Sequence, residues 1–302
     1  MAVTPEDAVD RINERFGRHA GRRALHAKGL FCTGTFTATP EAARLTRAAH
    51  LQGTPVPVRA RVSNGGGDPG VADYEPDVRG LAVKFDLPDG SSTDISSQSV
   101  PRFPVKSVEA FLEILKISKP SLGAAARFPL FAARHPGFVR ALPANAPALK
   151  PTASYANVQF YAIHAYKWLD ADGGSRWVRY EWRPEAGNSR IGVRAAKQLG
   201  RDYLQPEFRE RLAAGPVRWT LSVQIAGPDD NPHDPSAHWP PDRQRIDAGT
   251  LELTEAIDDP EAAGNGPLVF DPGRITDGIE LSDDPVLRFR PSAYSVSVDR
   301  RT

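Results

Sequence analysis

The sequence predicts an α+β fold built on an antiparallel barrel of about eight strands with helical insertions. Three observations carry this. Strand-type segments rich in β-branched and aromatic residues recur along the chain. They do not alternate with helices in the βαβ manner that builds a parallel sheet. The 28 prolines and 25 glycines supply many turns and argue against a helical bundle.

The elements follow in order. Thr4-Pro5-Glu6 opens a helix, with threonine as N-cap, proline at the first helical position and an acid in the first turn. Ala8, Ile12 and Phe16 then recur at helical spacing. Residues 30–38 alternate as a strand, and Thr39-Pro40-Glu41 starts a helix to about His50. Further strands are expected at 57–64, 79–87, 92–98, 157–169, 176–184, 217–226 and 248–254. Asp170 to Gly174 reads as a hairpin turn. Helices are expected at 106–117, 120–140 and 194–213, the first with Phe111, Leu112 and Leu115 on one apolar face. The turn-rich stretch 227–245 is a surface loop. No linker or repeat appears, so one domain over residues 1–302 is expected.

Composition excludes several function classes. With 38 basic and 37 acidic residues, overall charge gives no support to nucleic-acid binding. The single Cys32 rules out an internal disulfide and a cysteine-rich metal site, and fits a reducing compartment. The seven histidines form no tight ligand pair for zinc. Asn64 to Asp68 lacks the Lys-Ser/Thr of a phosphate loop and reads as a strand-end turn. No apolar run approaches a membrane span, and the N-terminus has no signal-peptide core, so a cytoplasmic protein is expected.

The chemistry concentrates at the two ends. Arg23-Ala24-Leu25-His26-Ala27-Lys28-Gly29 offers a histidine in an apolar and cationic setting. Arg290-Pro291-Ser292-Ala293-Tyr294, with Arg300 and Arg301 beyond it, offers a tyrosine flanked by arginines. A cation beside a phenol favours the phenolate, which is one of the few protein groups able to hold haem iron. A histidine on the other face of that iron would be placed for proton transfer.

These stretches resemble the haem catalase family. Leu25 to Gly29 is similar to its VHAKG run. Arg61 to Phe85 is similar to its RFSTVAG…DPRGFAVKF run, without a gap. Gly278 to Tyr294 is similar to its GIEPSPD…RLFSY run. The likeness spans residues 20 to 301, loosely over 118–275. The resemblance implies a catalase-type eight-stranded antiparallel barrel. The chain's size, lacking room for an N-terminal arm and a C-terminal helical domain, resembles the catalase-related peroxidases.

The resemblance also implies roles. Tyr294 would be the proximal ligand of haem b (iron protoporphyrin IX), with Arg290 one helical turn before it. His26 would be the distal acid–base, and Ser63 would fix its tautomer. Arg23, Arg61 and Arg301 would pair with the haem propionates, since guanidinium suits carboxylate. Phe111 would stack on the porphyrin, and Asp77 would line the substrate channel. Two positions depart from the family. Gln98 stands where it has an asparagine, and Gly65 where it has a channel valine, which implies a wider approach.

The function expected is reduction of organic hydroperoxides or hydrogen peroxide by an organic electron donor, with weak catalase activity. The alternatives are a haem-dependent fatty-acid hydroperoxide isomerase or dehydratase, and a haem carrier or sensor without turnover. A monomer or homodimer is expected.

Overall fold

A computed structural model describes residues 3–118, 122–261 and 266–301. Eight strands form the barrel: β1 (Gly29–Ala38), β2 (Val56–Asn64), β3 (Arg79–Asp86), β4 (Ser92–Gln98), β5 (Phe160–Leu169), β6 (Ser175–Pro184), β7 (Val217–Ile225) and β8 (Arg245–Ile257). They run in the order β4-β3-β2-β1-β8-β7-β6-β5, every neighbour antiparallel, and Gln98 pairing with Tyr161 joins β4 to β5 and closes the ring. The closure is a single pair, and farther along β4 the Asp94 N–H donates instead to the Arg274 carbonyl at 3.1 Å. A short β9 (Ile279–Leu281) adds to β5, a strand the sequence did not signal.

The interior is aromatic and aliphatic. Phe36, Phe85, Trp182 and Trp219 are fully buried. Phe36 meets Phe85 and Trp182 edge-on, at 5.2 and 6.0 Å between ring centres, the arrangement that ring quadrupoles favour.

Helix α1 (Pro5–Phe16) starts as expected: the Thr4 hydroxyl accepts from the Asp7 N–H at 3.1 Å, and the Asp7 carboxylate accepts from the Thr4 N–H at 3.4 Å. The hairpin turn also forms, with the Gly174 N–H on the Asp170 carboxylate at 2.6 Å. Three longer helical expectations are corrected. The stretch from Thr39 to His50 is broken after α2 (Pro40–Leu45), because Thr46 turns extended and its hydroxyl donates to the Gly278 carbonyl at 2.7 Å, and a single 3₁₀ turn follows at Ala49–Leu51. Residues 120–140 yield α4 (Leu122–Arg134) and α5 (Pro136–Asn145), divided at Pro136, which begins a new helix; residues 120 and 121 lie outside the described residues. Residues 194–213 yield α6 (Val193–Gln198) and α7 (Leu204–Ala214), divided at Gly200 with φ +106°. β8 is longer than its expected 248–254, and β5 starts three residues later than expected.

Two further helices set the site. Helix α3 (Val108–Ile117) carries Phe111, and α8 (Pro285–Asp299) carries Arg290 and Tyr294. Beyond α8, Arg300 pairs with Asp10 of α1, so the two chain ends lie together.

Candidate active site

One rim of the barrel positions the first half of the site. Gly29 pairs with Ser63, Ser63 with Gly80, Gly80 with Gln98, and Gln98 with Tyr161. Paired residues of antiparallel strands project to the same face, so Ser63 and Gln98 share a face with Gly80 between them. The imidazole of His26 lies over that gap. A Cβ on Gly80 would stand 2.8 Å from His26 Nδ1 and 2.7 Å from Ser63 Oγ. Glycine is required there for the close approach. His26 Nδ1 lies 3.0 Å from Ser63 Oγ.

The backbone at His26 is held in a costly shape. Among the described residues it is the only non-glycine residue with positive φ, at +57°. Its N–H donates to the Gly65 carbonyl at 3.0 Å, and the Ala27 N–H donates to the Gly66 carbonyl at 3.1 Å. Such strain persists where the surroundings over-determine it, often at functional sites. Burial, then the charges of Arg61, Arg290 and Arg23, push the His26 pKa down to about 3. The ring is therefore neutral at ordinary pH. Leu25 and Phe289, the chain neighbours of His26 and Arg290, pack in one cluster, so the two ends of the chain come together.

Asp77 braces this rim. Its carboxylate accepts from the N–H groups of Gly65, Gly66 and Val78 at 2.8 to 3.1 Å. Burial raises its pKa against the pull of Arg79 and these donors. The expected wider approach at Gly65 is corrected. A Cβ there would meet Val78 Cβ at 2.9 Å and the Asp77 carboxylate at 3.1 Å. Val78 and Asp77 already occupy the space that a side chain would fill.

The second half rests on α8. Arg290 Nε donates to the Tyr294 hydroxyl oxygen at 2.9 Å, and Arg290 Nη2 donates to it as well. Arg290 Nη1 lies 3.0 Å from His164 Nε2. An arginine can only donate, so His164 Nε2 accepts. The His164 proton then sits on Nδ1 and donates to Asp284 Oδ2 at 2.6 Å. Burial lowers the His164 pKa, in keeping with a neutral ring. Asp284 is also the N-cap of α8, its Oδ1 accepting from the Val286 and Leu287 N–H groups at 2.8 and 3.2 Å. Burial opposes the charge on Arg290, but Tyr294, Tyr166 and Asp271 outweigh it and hold its pKa above the ordinary value. His164 stands in an irregular stretch of β5, where the register to β6 shifts between Ala162 and Tyr166. Such a shift re-aims a side chain. Sequence reasoning found Tyr294 and Arg290 but missed His164, Asp284 and Gly80.

Phe111 lies between the two halves. It stacks on Phe103 at 5.6 Å and packs in one cluster with Leu25, beside His26, and Phe289, beside Arg290. The three expected carboxylate-binding arginines also gather. The Arg23 and Arg61 guanidinium carbons stand 5.2 and 5.3 Å from the Phe31 ring centre. Arg23 and Arg301 share the Glu261 carboxylate at 2.6 and 3.2 Å. Burial, then the charge of Arg23, lowers the Arg61 pKa to about 9.

A closed antiparallel barrel with a histidine–serine pair on its rim and a tyrosine–arginine pair on its last helix defines a catalase-type architecture. The sequence profile of the family described as Catalase matches residues 8–302, and the chain belongs to that family. It is 44% identical over 300 residues to a catalase-related peroxidase of Mycolicibacterium paratuberculosis, covering 99% of this chain and 95% of that one. It is 33% identical over 310 residues to a catalase-related peroxidase of Synechococcus elongatus, covering 99% and 89%. Catalase isozyme 2 of Solanum tuberosum is 28% identical over 294 residues, and the chain spans 58% of its length. A solved bacterial catalase structure superposes with a TM-score of 0.82 at 22% identity, covering 98% of this chain and 60% of that one. The chain is thus shorter than the full catalases that share its fold.

The residues present fit a haem. Arg61 and Arg301 each keep a buried Nε without a hydrogen-bond partner among the described residues, and so does the Gln98 amide nitrogen. Three crowded guanidiniums, only two of which share a carboxylate, suit further carboxylates. A cavity of about 160 Å³ opens beside Arg23 and Arg61, lined also by Arg22, Phe31, Arg209 and Asp259; His26 and Tyr294 do not line it.

Proposed function

We propose that the chain is a haem-b peroxidase that reduces hydrogen peroxide or organic hydroperoxides with an organic electron donor. One observation carries this reading. A neutral histidine with a fixed ring and a tyrosine oxygen receiving guanidinium donors converge from opposite chain ends. When bound, the haem supplies the redox-active iron that cleaves the O–O bond.

Tyr294 would hold that iron, with Arg290 donating two hydrogen bonds to its oxygen. Asp284 fixes His164 as the Nδ1–H tautomer, and His164 fixes Arg290. His26 is oriented by Ser63 through Nδ1, which leaves Nε2 to take the proton of the peroxide. The same nitrogen returns the proton to the departing oxygen, so that water or an alcohol leaves. Arg23, Arg61 and Arg301 would bind the haem carboxylates, and Phe111 would pack against the ring. Gln98 directs its unpaired amide toward the peroxide from the same rim as Ser63. The lipid-hydroperoxide alternative drew on an opening at Gly65, and Val78 fills that space. A carrier without turnover gives no reason for the strained His26. A cytoplasmic location remains part of this reading; among the described residues, no helix is long and apolar enough to cross a membrane.

The test is the purified protein's absorption spectrum, followed by donor oxidation on adding peroxide. His26→Ala should retain haem and lose about 10²–10⁴-fold in peroxide-dependent donor oxidation. A haem-loaded variant that matches the parent rate would show that another group moves the proton.

A further inference from the structure

Helices α4 and α5 form a layer with two different faces. The inner face carries Phe131, fully buried, and Phe138, with ring centres 5.2 Å apart. Both belong to the cluster that holds Phe103 and Phe111, next to the site. Phe128, 42% exposed, leans edge-on against Phe138 at 6.0 Å between ring centres, whereas Leu130 at 62%, Val139 at 44% and Leu142 at 38% are exposed away from that ring pair. Six large apolar residues are exposed among the described residues, and four of them lie on these two helices. Single exposed apolar residues need no explanation, but such a group marks an interaction surface.

Charge says what kind of surface. Between Glu113 and Asp170 every charged residue is a lysine or arginine, in a chain that balances 38 bases against 37 acids. Arg134 is held by Glu113 at 2.5 Å. Arg127 and Arg140 are exposed and make no ion pair among the described residues. They adjoin Phe128 and Val139 in the chain. We propose that the outer face of α4 and α5 docks on an anionic lipid bilayer, with Leu130, Val139 and Leu142 in the interface and the arginines on the headgroup phosphates. Apolar residues interleaved with unpaired bases on a short helix suit such a surface. The alternative occupant, a second copy of this chain, fits less well. A twofold contact sets a patch against itself, and from Arg127 to Arg140 the chain carries no acid to pair with the copy's arginines.

The docking also has a place in the molecule. The Asn145 side chain, at the end of α5, brackets the Arg102 backbone with bonds of 3.2 and 2.9 Å. The Leu149 carbonyl, just beyond, accepts from the Asp77 N–H at 3.0 Å. The bilayer-facing layer is therefore fastened to the rim that carries His26. The inference does not rest on the peroxidase reading, because binding is read without turnover.

The experiment is flotation of the purified holoprotein with vesicles of phosphatidylcholine alone, or of phosphatidylcholine mixed with phosphatidylglycerol. Binding to the mixed vesicles only, weakened by salt, is expected. Leu130→Ser with Val139→Ser should reduce it by about tenfold or more. Arg127→Glu with Arg140→Glu should reduce it similarly, with no change in core packing. Haem content and hydrogen peroxide turnover in solution check that each variant is folded. Equal binding to both vesicles, or none by the folded parent, would overturn the proposal. So would a dimer in sedimentation that the apolar variant dissociates, since the second copy would then be the occupant.

Discussion

Around His26 the fit is steric, whereas around Tyr294 it is a chain of hydrogen bonds. The imidazole rests where Gly80 has no side chain, on a backbone bent to positive φ, with one polar side-chain partner in Ser63. Tyr294 is tied through Arg290 and His164 to Asp284, each link 3.0 Å or shorter. The difference follows from the tasks proposed for the two groups. A base that gives and takes a proton works best uncharged and lightly bonded, so position must come from shape. A metal ligand needs constant electron density, which linked donors and acceptors supply.

The two ends should therefore fail differently. The largest effect is expected at the tyrosine. Tyr294→Phe removes the ligand atom and should abolish or severely weaken haem retention, measured as iron and absorbance after gel filtration. Full haem with an unchanged spectrum would refute the ligand assignment. At the other end, Gly80→Ala should leave haem in place and damage only the chemistry. The added carbon pushes His26 and Ser63 from contacts of 2.8 and 2.7 Å. A misplacement of about 1 Å can cost about 10²-fold in rate. Haem loss in this variant, with an intact barrel, would mean that the rim is not independent of the ligand side.

Legibility in the sequence divides along the same line. His26, Ser63, Arg290 and Tyr294 stand in short runs whose flanking residues carry the resemblance, so they were found. His164 and Asp284 were not, because their bond joins residues 120 positions apart and the bond to Arg290 spans 126. No local pattern encodes a contact of that length. Gly80 lay inside a recognised run, yet its purpose depends on what sits above it. Gly65 was misread for the same reason: whether a missing side chain leaves room is decided by Val78. The eight barrel strands were readable from alternation and turns. The helix divisions at Pro136 and Gly200 were present as residues but hidden by apolar spacing that continued across them.

Asp284→Asn probes the chain of bonds itself. Asparagine keeps an oxygen for the α8 cap but loses the carboxylate that selects the His164 tautomer. Partners of this kind typically cost about 10–100-fold in metal affinity or activity when changed. Haem transfer to an excess of a competing apoprotein should quicken by about tenfold, and helix content should stay the same. An unchanged transfer rate would show that Arg290 alone supports Tyr294.

The smallest expected effect lies where the two regions join. Arg23 precedes His26 by three residues, Arg301 follows Tyr294, and Glu261 bridges them at 2.6 and 3.2 Å. Glu261 also accepts from the Leu268 N–H at 3.1 Å, so its own segment holds it in place. If these arginines bind haem carboxylates, Glu261 competes with them for the same donors. Glu261→Gln removes the competing charge and keeps the side chain's shape. Haem uptake by the apoprotein should then rise a fewfold, since partly exposed ion pairs contribute about 1 kcal/mol or less. The apoprotein should melt lower, because Arg23 and Arg301 lose their shared counter-charge, while the haem-loaded form should change less. The opposite pattern, slower uptake and a haem-loaded form that melts lower by the larger amount, would mean that Glu261 aims the arginines rather than competing for them. The join would then be fixed in advance, as the His26 rim is, and not settled by charge as the Tyr294 chain is.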